Sequence, residues 1–102
     1  MSTVDVVDNP DEERYEVLVD GKRAGSAFYD LKPGRIVFLH TEVDPAYEGR
    51  GVGGRLAQVA LDDVRAKGLR VVARCPFFAR YIRHHPEYQD LLSSRLPPEG
   101  GA

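Results

Sequence analysis

The sequence predicts an α/β fold, with an antiparallel three-strand meander followed by a β-α-β unit, a mixed sheet and short C-terminal helices. Three observations indicate this class. Extended segments separated by turn residues occupy residues 14–43. Apolar residues at helical spacing follow from residue 52, and a short apolar segment comes after them at 69–75. A strand, a crossover helix and a strand form a parallel, right-handed unit, so we expect the sheet to be mixed.

The composition limits the class of protein. The chain has 102 residues, of which 42% are hydrophobic and 29% are charged, as in one globular domain. The net charge of -2 argues against nucleic acid as the main partner. Cys75 is the single cysteine and cannot form an internal disulfide, and the acidic N-terminus lacks the apolar core of a signal peptide. No apolar run approaches the ~20 residues of a membrane span, so we expect a cytoplasmic protein with no membrane partner.

The meander is expected to consist of three strands joined by two tight turns. RYEVLV (14–19) is the first strand, and Asp20-Gly21 after it is a strong hairpin signal. KRAGSAFYDL (22–31) returns as the second strand, and a Lys-Pro-Gly turn leads into the third, RIVFLHTEV (35–43). We expect residues 1–13 to be a flexible N-terminus, residues 14–93 to form the domain and residues 94–102 to be a disordered tail, because both ends offer little to bury.

The second half is expected to be mainly helical. One helix face carries Val52, Leu56, Val59, Ala60 and Val64, and Gly68 is well placed to end that helix. LRVVARC (69–75) is expected to form a short buried strand. PFFARYIRHH (76–85) begins with a proline, which suits the first turn of a helix, and PEYQDLLS (86–93) predicts a last short helix.

The junction before the main helix is unusually rich in glycine, with four glycines between Gly49 and Gly54. The N-terminus of a helix presents free N–H groups and about half a positive charge. Glycines let an anion approach those groups without meeting a Cβ atom, so a phosphate site is predicted here. The alternative is a tight connection that allows close packing of the helix on the sheet.

Three sequence patterns for nucleotide binding can be compared with this loop, and they match it to different degrees. The phosphate loop of ATPases is excluded, because no Gly-Lys-Ser/Thr follows. Gly49, Gly51 and Gly54 do match the dinucleotide pattern GxGxxG. However, Arg74 and Cys75 stand where that fold has an acidic residue, and one β-α-β unit is less than the fold requires.

The third pattern is the Gln/Arg-x-x-Gly-x-Gly/Ala loop, and here the sequence resembles the GCN5-related N-acetyltransferase superfamily. Gly51 and Gly53 occupy its two small positions, and Glu48 stands where Gln or Arg is usual. This departure affects any role of the side chain at that position. It affects the backbone role less, because the phosphates in this superfamily are held mainly by main-chain N–H groups. HTEVDP (40–45), CPF (75–77) and HPEY (85–88) extend the resemblance to the superfamily's small single-domain YjdJ-type group, over about residues 14–92.

The resemblance implies that the chain binds acetyl-CoA and transfers acetyl to an unidentified amine or protein acceptor. The pantetheine arm would lie between RIVFLHTEV and LRVVARC, bound by the backbone near Val43, and the pyrophosphate would lie on the glycine loop. The implied cofactor-binding residues are Val43, Glu48, Gly49, Arg50, Gly51, Val52, Gly53, Gly54 and Arg55.

The candidate catalytic residues lie on the strands that would flank the thioester. Strand alternation puts His40 and Glu42 on one face with Ile36 and Phe38, and Val37, Leu39, Thr41 and Val43 on the other. His40 and Glu42 would pass a proton from the amine to solvent, or would form a purely structural pair.

Cys75 would protonate the leaving thiolate, accept the acetyl group, or only pack. Tyr81 is the second candidate for a general acid, because superfamily members often carry a tyrosine on this helix. His84, His85 and Glu87 lack the spacing of metal ligands, so we expect no metal site. A different class of function also fits: a binding module that holds acyl-CoA without turnover.

Overall fold

The structure is a computed structural model that describes residues 3–93, and it contains one five-strand sheet. The strands are β1 (Val4–Asn9), β2 (Arg14–Val19), β3 (Lys22–Lys32), β4 (Arg35–Val43) and β5 (Arg70–Ala73), and the α-helices are α1 (Val52–Ala66) and α2 (Pro76–His84). Short 3-10 helices span Pro10–Glu12, Pro45–Tyr47 and Pro86–Leu91. The strands lie in chain order, antiparallel from β1 to β4 and parallel between β4 and β5. The predicted α/β class and mixed sheet are confirmed.

The prediction of a flexible N-terminus is wrong for β1, and the meander has four strands rather than three. Val4–Asn9 pairs along its whole length with β2. Val4 and Val6 pack against the core, and the carboxylate of Asp8 accepts hydrogen bonds from the Tyr29 hydroxyl (2.6 Å) and from Lys67 (2.9 Å). Asp8, one of the acidic residues that indicated a loose end, therefore has partners that are distant in sequence. Residues 94–102, the predicted tail, lie outside the described residues.

The hairpin between β2 and β3 forms at the predicted turn. Asp20 and Gly21 have φ angles of 51° and 82°. Two consecutive positive φ angles are the mark of a type I′ turn, whose twist matches that of the flanking strands. The local signal was sufficient here because Asp-Gly tolerates this backbone at little cost.

Helix α1 begins and ends as the sequence indicates. Its buried face includes Val52, Leu56, Ala60 and Val64, which are at most 4% exposed, whereas Val59 of the predicted face is only half-buried. At its end Gly68 has a φ of 70°, and the N–H groups of Gly68 and Leu69 donate to the carbonyls of Arg65 and Val64. This arrangement satisfies carbonyls that would otherwise lack a partner at a helix C-terminus.

Both helices pack on the same face of the sheet. Phe38 of β4 stacks on Phe78 of α2 with ring centroids 4.0 Å apart, and Tyr15 of β2 donates a 2.6 Å hydrogen bond to Asp63 of α1. The core is continuous from β1 to α2. The other face of the sheet, called the outer face below, has no helix over it among residues 3–93. None of the helices described there is long and apolar enough to cross a bilayer.

A β-bulge in β4 overturns the predicted assignment of side chains to faces. Phe38 pairs with Tyr29 and His40 pairs with Phe28, so Leu39 is an extra residue opposite β3. An extra residue changes the phase of the alternation. As a result, Ile36 and Phe38 point toward the helices, whereas His40 and Glu42 lie on the outer face. Thr41 takes the helix side instead, where it contacts Cys75.

Candidate functional site

A gap opens between β4 and β5 where their pairing stops. The last paired residues are Phe38 and Ala73. The Phe38 carbonyl then accepts hydrogen bonds from the N–H groups of both Arg74 (3.0 Å) and Cys75 (2.9 Å), and the chain turns away into α2. Strand β4 continues alone to Val43 on that side. The two strands therefore form a fork, and the far half of β4 has an open edge.

The open edge presents main-chain groups of Thr41 and Val43. The N–H of Asp44 donates to the Ala24 carbonyl on β3 at 2.7 Å. Because the backbone groups of a strand alternate in direction, Glu42 also faces β3, and the N–H and C=O of Thr41 and Val43 face the gap. This edge can accept one more extended chain, as an exposed strand does.

A cleft of about 420 Å³ extends from this edge to the start of α1. It is lined by six of the nine residues predicted to bind a cofactor, namely Val43, Glu48, Gly49, Gly51, Val52 and Gly53. Thr41, Tyr47 and Phe77 also line it, and sequence reasoning did not select them. Phe77 comes from α2 and meets the loop only through tertiary packing.

The N-terminus of α1 presents free hydrogen-bond donors to the cleft. The first helical hydrogen bond runs from the N–H of Arg55 to the Gly51 carbonyl, at 3.1 Å. No described residue accepts a hydrogen bond from the N–H of Val52, Gly53 or Gly54. Gly51 has a φ of 75°, a backbone conformation that strongly favours glycine. A Cβ atom at Gly49, Gly51 or Gly54 would meet nothing within 4 Å, so solvent or a ligand can reach these donors.

Gly53 has a different role, which is packing. A Cβ atom there would lie 3.1 Å from Cζ of Phe77 and 3.6 Å from Cγ2 of Val43. This glycine lets α1 approach α2 and β4 closely. The two explanations for the glycine loop therefore apply to different glycines, since Gly53 serves packing whereas Gly49, Gly51 and Gly54 leave the donors uncovered.

Two arginines flank the loop. The guanidinium of Arg50 lies 5.6 Å from the ring centroid of Tyr47, and Arg55 donates to the Gln58 side chain at 3.1 Å. Neither arginine forms an ion pair with a residue between Thr3 and Ser93. Glu48 is exposed at the entrance of the cleft. An anion at the loop would therefore have two cationic side chains and one carboxylate near it.

A second, smaller cavity lies on the other side of Phe77. It measures about 230 Å³ and is lined by Gly54, Phe77, Arg80, Tyr81, His84 and His85. Tyr81 stacks on His85 with ring centroids 3.8 Å apart. Burial, and then the charges of Glu87 and Asp62, raise the pKa of Tyr81, so its phenol stays protonated at neutral pH. The structure therefore places Tyr81 in a different cavity from the one that Thr41 lines.

His40 and Glu42 meet on the outer face of the sheet. Nε2 of His40 and Oε1 of Glu42 are 3.1 Å apart, and the two side chains are 61% and 65% exposed. The His40 ring stacks on Phe28, with ring centroids 6.1 Å apart. The pair is open to solvent and lies beyond the fork on the uncovered side of β4.

Cys75 lies on the opposite face from this pair. It is 2% exposed, and its Sγ is 3.1 Å from Oγ1 of Thr41. Thr41 lines the cleft, whereas Cys75 does not. The thiol therefore reaches the cleft through the threonine hydroxyl. Sequence reasoning missed Thr41, because the contact of its hydroxyl with Cys75 depends on the bulge at Leu39.

Known proteins are similar to this chain. The model of a protein family described as GCN5-related N-acetyl-transferase matches residues 14–91. Protein NATD1 of Mus musculus and of Homo sapiens are each 41% identical to this chain over 71 residues, which is 69% of the chain. The match covers 63% and 61% of these relatives, so the chain spans about three fifths of their length. A crystal structure of a Trypanosoma brucei acetyltransferase is similar with a TM-score of 0.46 and 25% identity, over 88% of this chain and 68% of that one.

Proposed function

Because this chain belongs to the family of GCN5-related N-acetyltransferases, we propose that it binds acetyl-CoA in the cleft beside β4 and transfers the acetyl group to an amine. The observation that carries this proposal is the continuity of the cleft. It joins the open edge of β4 at Thr41 and Val43 to the free N–H groups at the start of α1. One site thus offers peptide-like hydrogen bonding at one end and anion binding at the other.

The parts of acetyl-CoA match these two ends. The pantetheine arm contains amides and is extended, so it pairs with the main chain of Val43 as a further strand would. The pyrophosphate accepts hydrogen bonds from the N–H groups of Val52, Gly53 and Gly54, and Arg50 and Arg55 add positive charge. The adenosine end extends past Gly54 into the second cavity.

The acyl end reaches the fork, where β4 is no longer paired with β5. The N–H of Thr41 donates to the carbonyl oxygen, on which negative charge develops when the amine attacks. The amine arrives from the outer face, because the helices cover the other face. There the pair of His40 and Glu42 accepts the proton that the ammonium must lose and passes it to solvent.

The departing CoA thiolate takes a proton from the Thr41 hydroxyl, which takes one in turn from Cys75. A thiol is a far stronger acid than an alcohol, so Cys75 is the net donor. It regains a proton from water by the same route. The burial of Sγ disfavours direct acetylation of Cys75, because the thioester would have to displace Thr41.

Titration of the ¹⁵N-labelled chain with acetyl-CoA and, separately, with NADH tests this proposal. Acetyl-CoA should shift the amide resonances from Thr41 to Arg55 and those next to Cys75. NADH, which shares the pyrophosphate and adenosine but not the pantetheine arm, should leave Thr41 and Val43 unchanged. Binding of NADH without binding of acetyl-CoA would show that the glycine loop serves a dinucleotide and that the proposal is wrong.

The alternative is a module that holds acyl-CoA without turnover, and the exposed positions of His40 and Glu42 are compatible with it. The same titration followed by an acetylation assay on a pooled amine and peptide library separates the two functions. Acetyl-CoA binding with no acetylated product from any amine would favour the binding module.

A further inference from the structure

The outer face carries a groove of about 650 Å³ that the proposed cleft does not use. Its cationic residues are Lys32, Arg35 and Arg74, and its apolar residues are Val37, Leu39 and Val72. We call it the arginine groove. Asp30 is the one carboxylate in its lining, and that carboxylate pairs with Lys32 at 3.1 Å.

The two arginines of the groove are available to bind an anion. Within residues 3–93, the guanidinium groups of Arg35 and Arg74 form no ion pair, hydrogen bond or ring contact. A guanidinium presents a planar set of donors that matches a carboxylate in a bidentate arrangement. The chain as a whole has a net charge of -2, so this local excess of positive charge runs against the overall balance.

The groove ends at the fork. Arg74 follows the last paired residue of β5, and its N–H donates to the Phe38 carbonyl at 3.0 Å. Leu39, the bulge residue, lines the groove and is 46% exposed. The next residue is His40, whose Cα is about 3.8 Å further along the chain. A molecule in the groove would therefore lie beside the pair of His40 and Glu42.

The length of the groove selects a chain rather than a small molecule. Arg35 pairs with Arg70, and Phe38, three residues later, pairs with Ala73, the residue before Arg74. At about 3.3 Å per strand residue, the two arginines are anchored roughly 10 Å or more apart. Two anionic groups at that separation fit acidic side chains on an extended peptide. Val37, Leu39 and Val72 give the aliphatic parts of such a peptide an apolar floor.

We propose that the arginine groove binds an acidic segment of a protein acceptor and so delivers a neighbouring lysine or N-terminal amine to the fork. This assignment rests on the proposed acetyl transfer, and it names the acceptor class: amines flanked by aspartate or glutamate. Arg74 is then a residue that determines acceptor specificity, and it takes no part in the chemical step.

The test uses two short synthetic peptides, each with one lysine, flanked by glutamates in one and by arginines in the other. The glutamate peptide should shift the amide resonances of Leu39, Val72 and Arg74 in the ¹⁵N-labelled chain, and the arginine peptide should not. Arg74→Glu should weaken binding of the glutamate peptide about fivefold or more. Lys22→Glu makes the same charge change at an exposed position. Lys22 lies at the end of β3 remote from the groove residue Lys32, so this variant should leave that binding unchanged. Arg74→Gln provides a milder variant with the same expected direction.

Turnover gives an independent measurement. With acetyl-CoA and the glutamate peptide, Arg74→Glu should raise KM and leave kcat nearly unchanged, because the arginine binds the acceptor outside the reacting atoms. Equal weakening by Lys22→Glu, or shifts confined to residues outside the groove, would overturn the acidic-acceptor proposal while acetyl-CoA binding stands. If the wild-type chain does not bind acetyl-CoA, the proposed function is wrong. The peptide titration needs no acetyl-CoA, so it would still show whether the arginine groove binds the glutamate peptide.

Discussion

A charge placed at Gly54 isolates the electrostatic contribution of the helix N-terminus to acetyl-CoA binding. The position is open, since a Cβ atom there meets nothing within 4 Å, and its φ is not positive. Gly54→Glu and Gly54→Gln are nearly isosteric and differ in one negative charge. A pyrophosphate with about two charges roughly 6 Å from the carboxylate interacts unfavourably with it by ~0.7 kcal/mol per charge in water. We therefore expect acetyl-CoA to bind about tenfold more weakly to the Glu variant than to the Gln variant.

The same substitution has the opposite effect on stability, which makes the result easy to interpret. A carboxylate in the first turn of a helix stabilises it by about 0.3–1 kcal/mol, so Gly54→Glu should unfold at a temperature at least as high as Gly54→Gln. Isothermal titration calorimetry measures the two affinities, first at low ionic strength and then near 1 M salt. There a Debye length of about 3 Å should remove most of the difference. Equal affinities at low salt would refute a pyrophosphate at this helix end.

Three further predictions concern the proton path and the acid stability of the fold. Glu42→Gln should keep acetyl-CoA affinity and lower kcat by about 10²–10⁴-fold, the usual contribution of a positioned base; unchanged turnover would remove Glu42 from the mechanism. Thr41→Val and Cys75→Ala should both slow transfer while leaving acetyl-CoA affinity intact, and Thr41→Ser should retain the rate. If Cys75→Ala transfers acetyl at the wild-type rate, the thiol only packs and takes no part in the proton path. For Asp63, burial opposes ionisation, but hydrogen bonds from Lys67 and Tyr15 lower its pKa below the ordinary value of 3.8. Its stabilising effect is therefore present above that value and is lost as the pH falls through the lower folded pKa. The free energy of unfolding should decrease in that acid range, and Asp63→Asn should remove this part of the decrease.

Part of the fold follows from local sequence signals alone. Asp20-Gly21 adopts the two positive φ angles of its turn, and Gly68 ends α1 as expected. The apolar spacing from Val52 to Val64 gives the buried face of that helix. Each of these features depends on residues within a few positions of one another, so backbone preference and periodicity are sufficient to predict them.

Strand β1 shows where local signals fail. The acidic residues near the N-terminus indicated a loose segment, because aspartates in isolation prefer water. In the fold, Asp8 accepts hydrogen bonds from Tyr29, 21 positions away, and from Lys67, 59 positions away. Partners at such separations come together only after the sheet and helix have packed, so the sequence pattern carries no sign of them.

The candidate site divides in the same way. The glycine loop could be predicted, because a strand, a glycine-rich segment and a helix follow one another along the chain. The gap between β4 and β5 was implied by the family resemblance and not by the residue pattern. The extra residue at Leu39 could not be predicted, since a bulge is a mismatch between two strands and neither strand encodes it alone. That single residue moves His40 and Glu42 to the outer face and brings Thr41 to within 3.1 Å of Cys75. The sequence thus determined which groups are available for the chemistry, and the pairing of β3 with β4 decided on which side of the sheet each group acts.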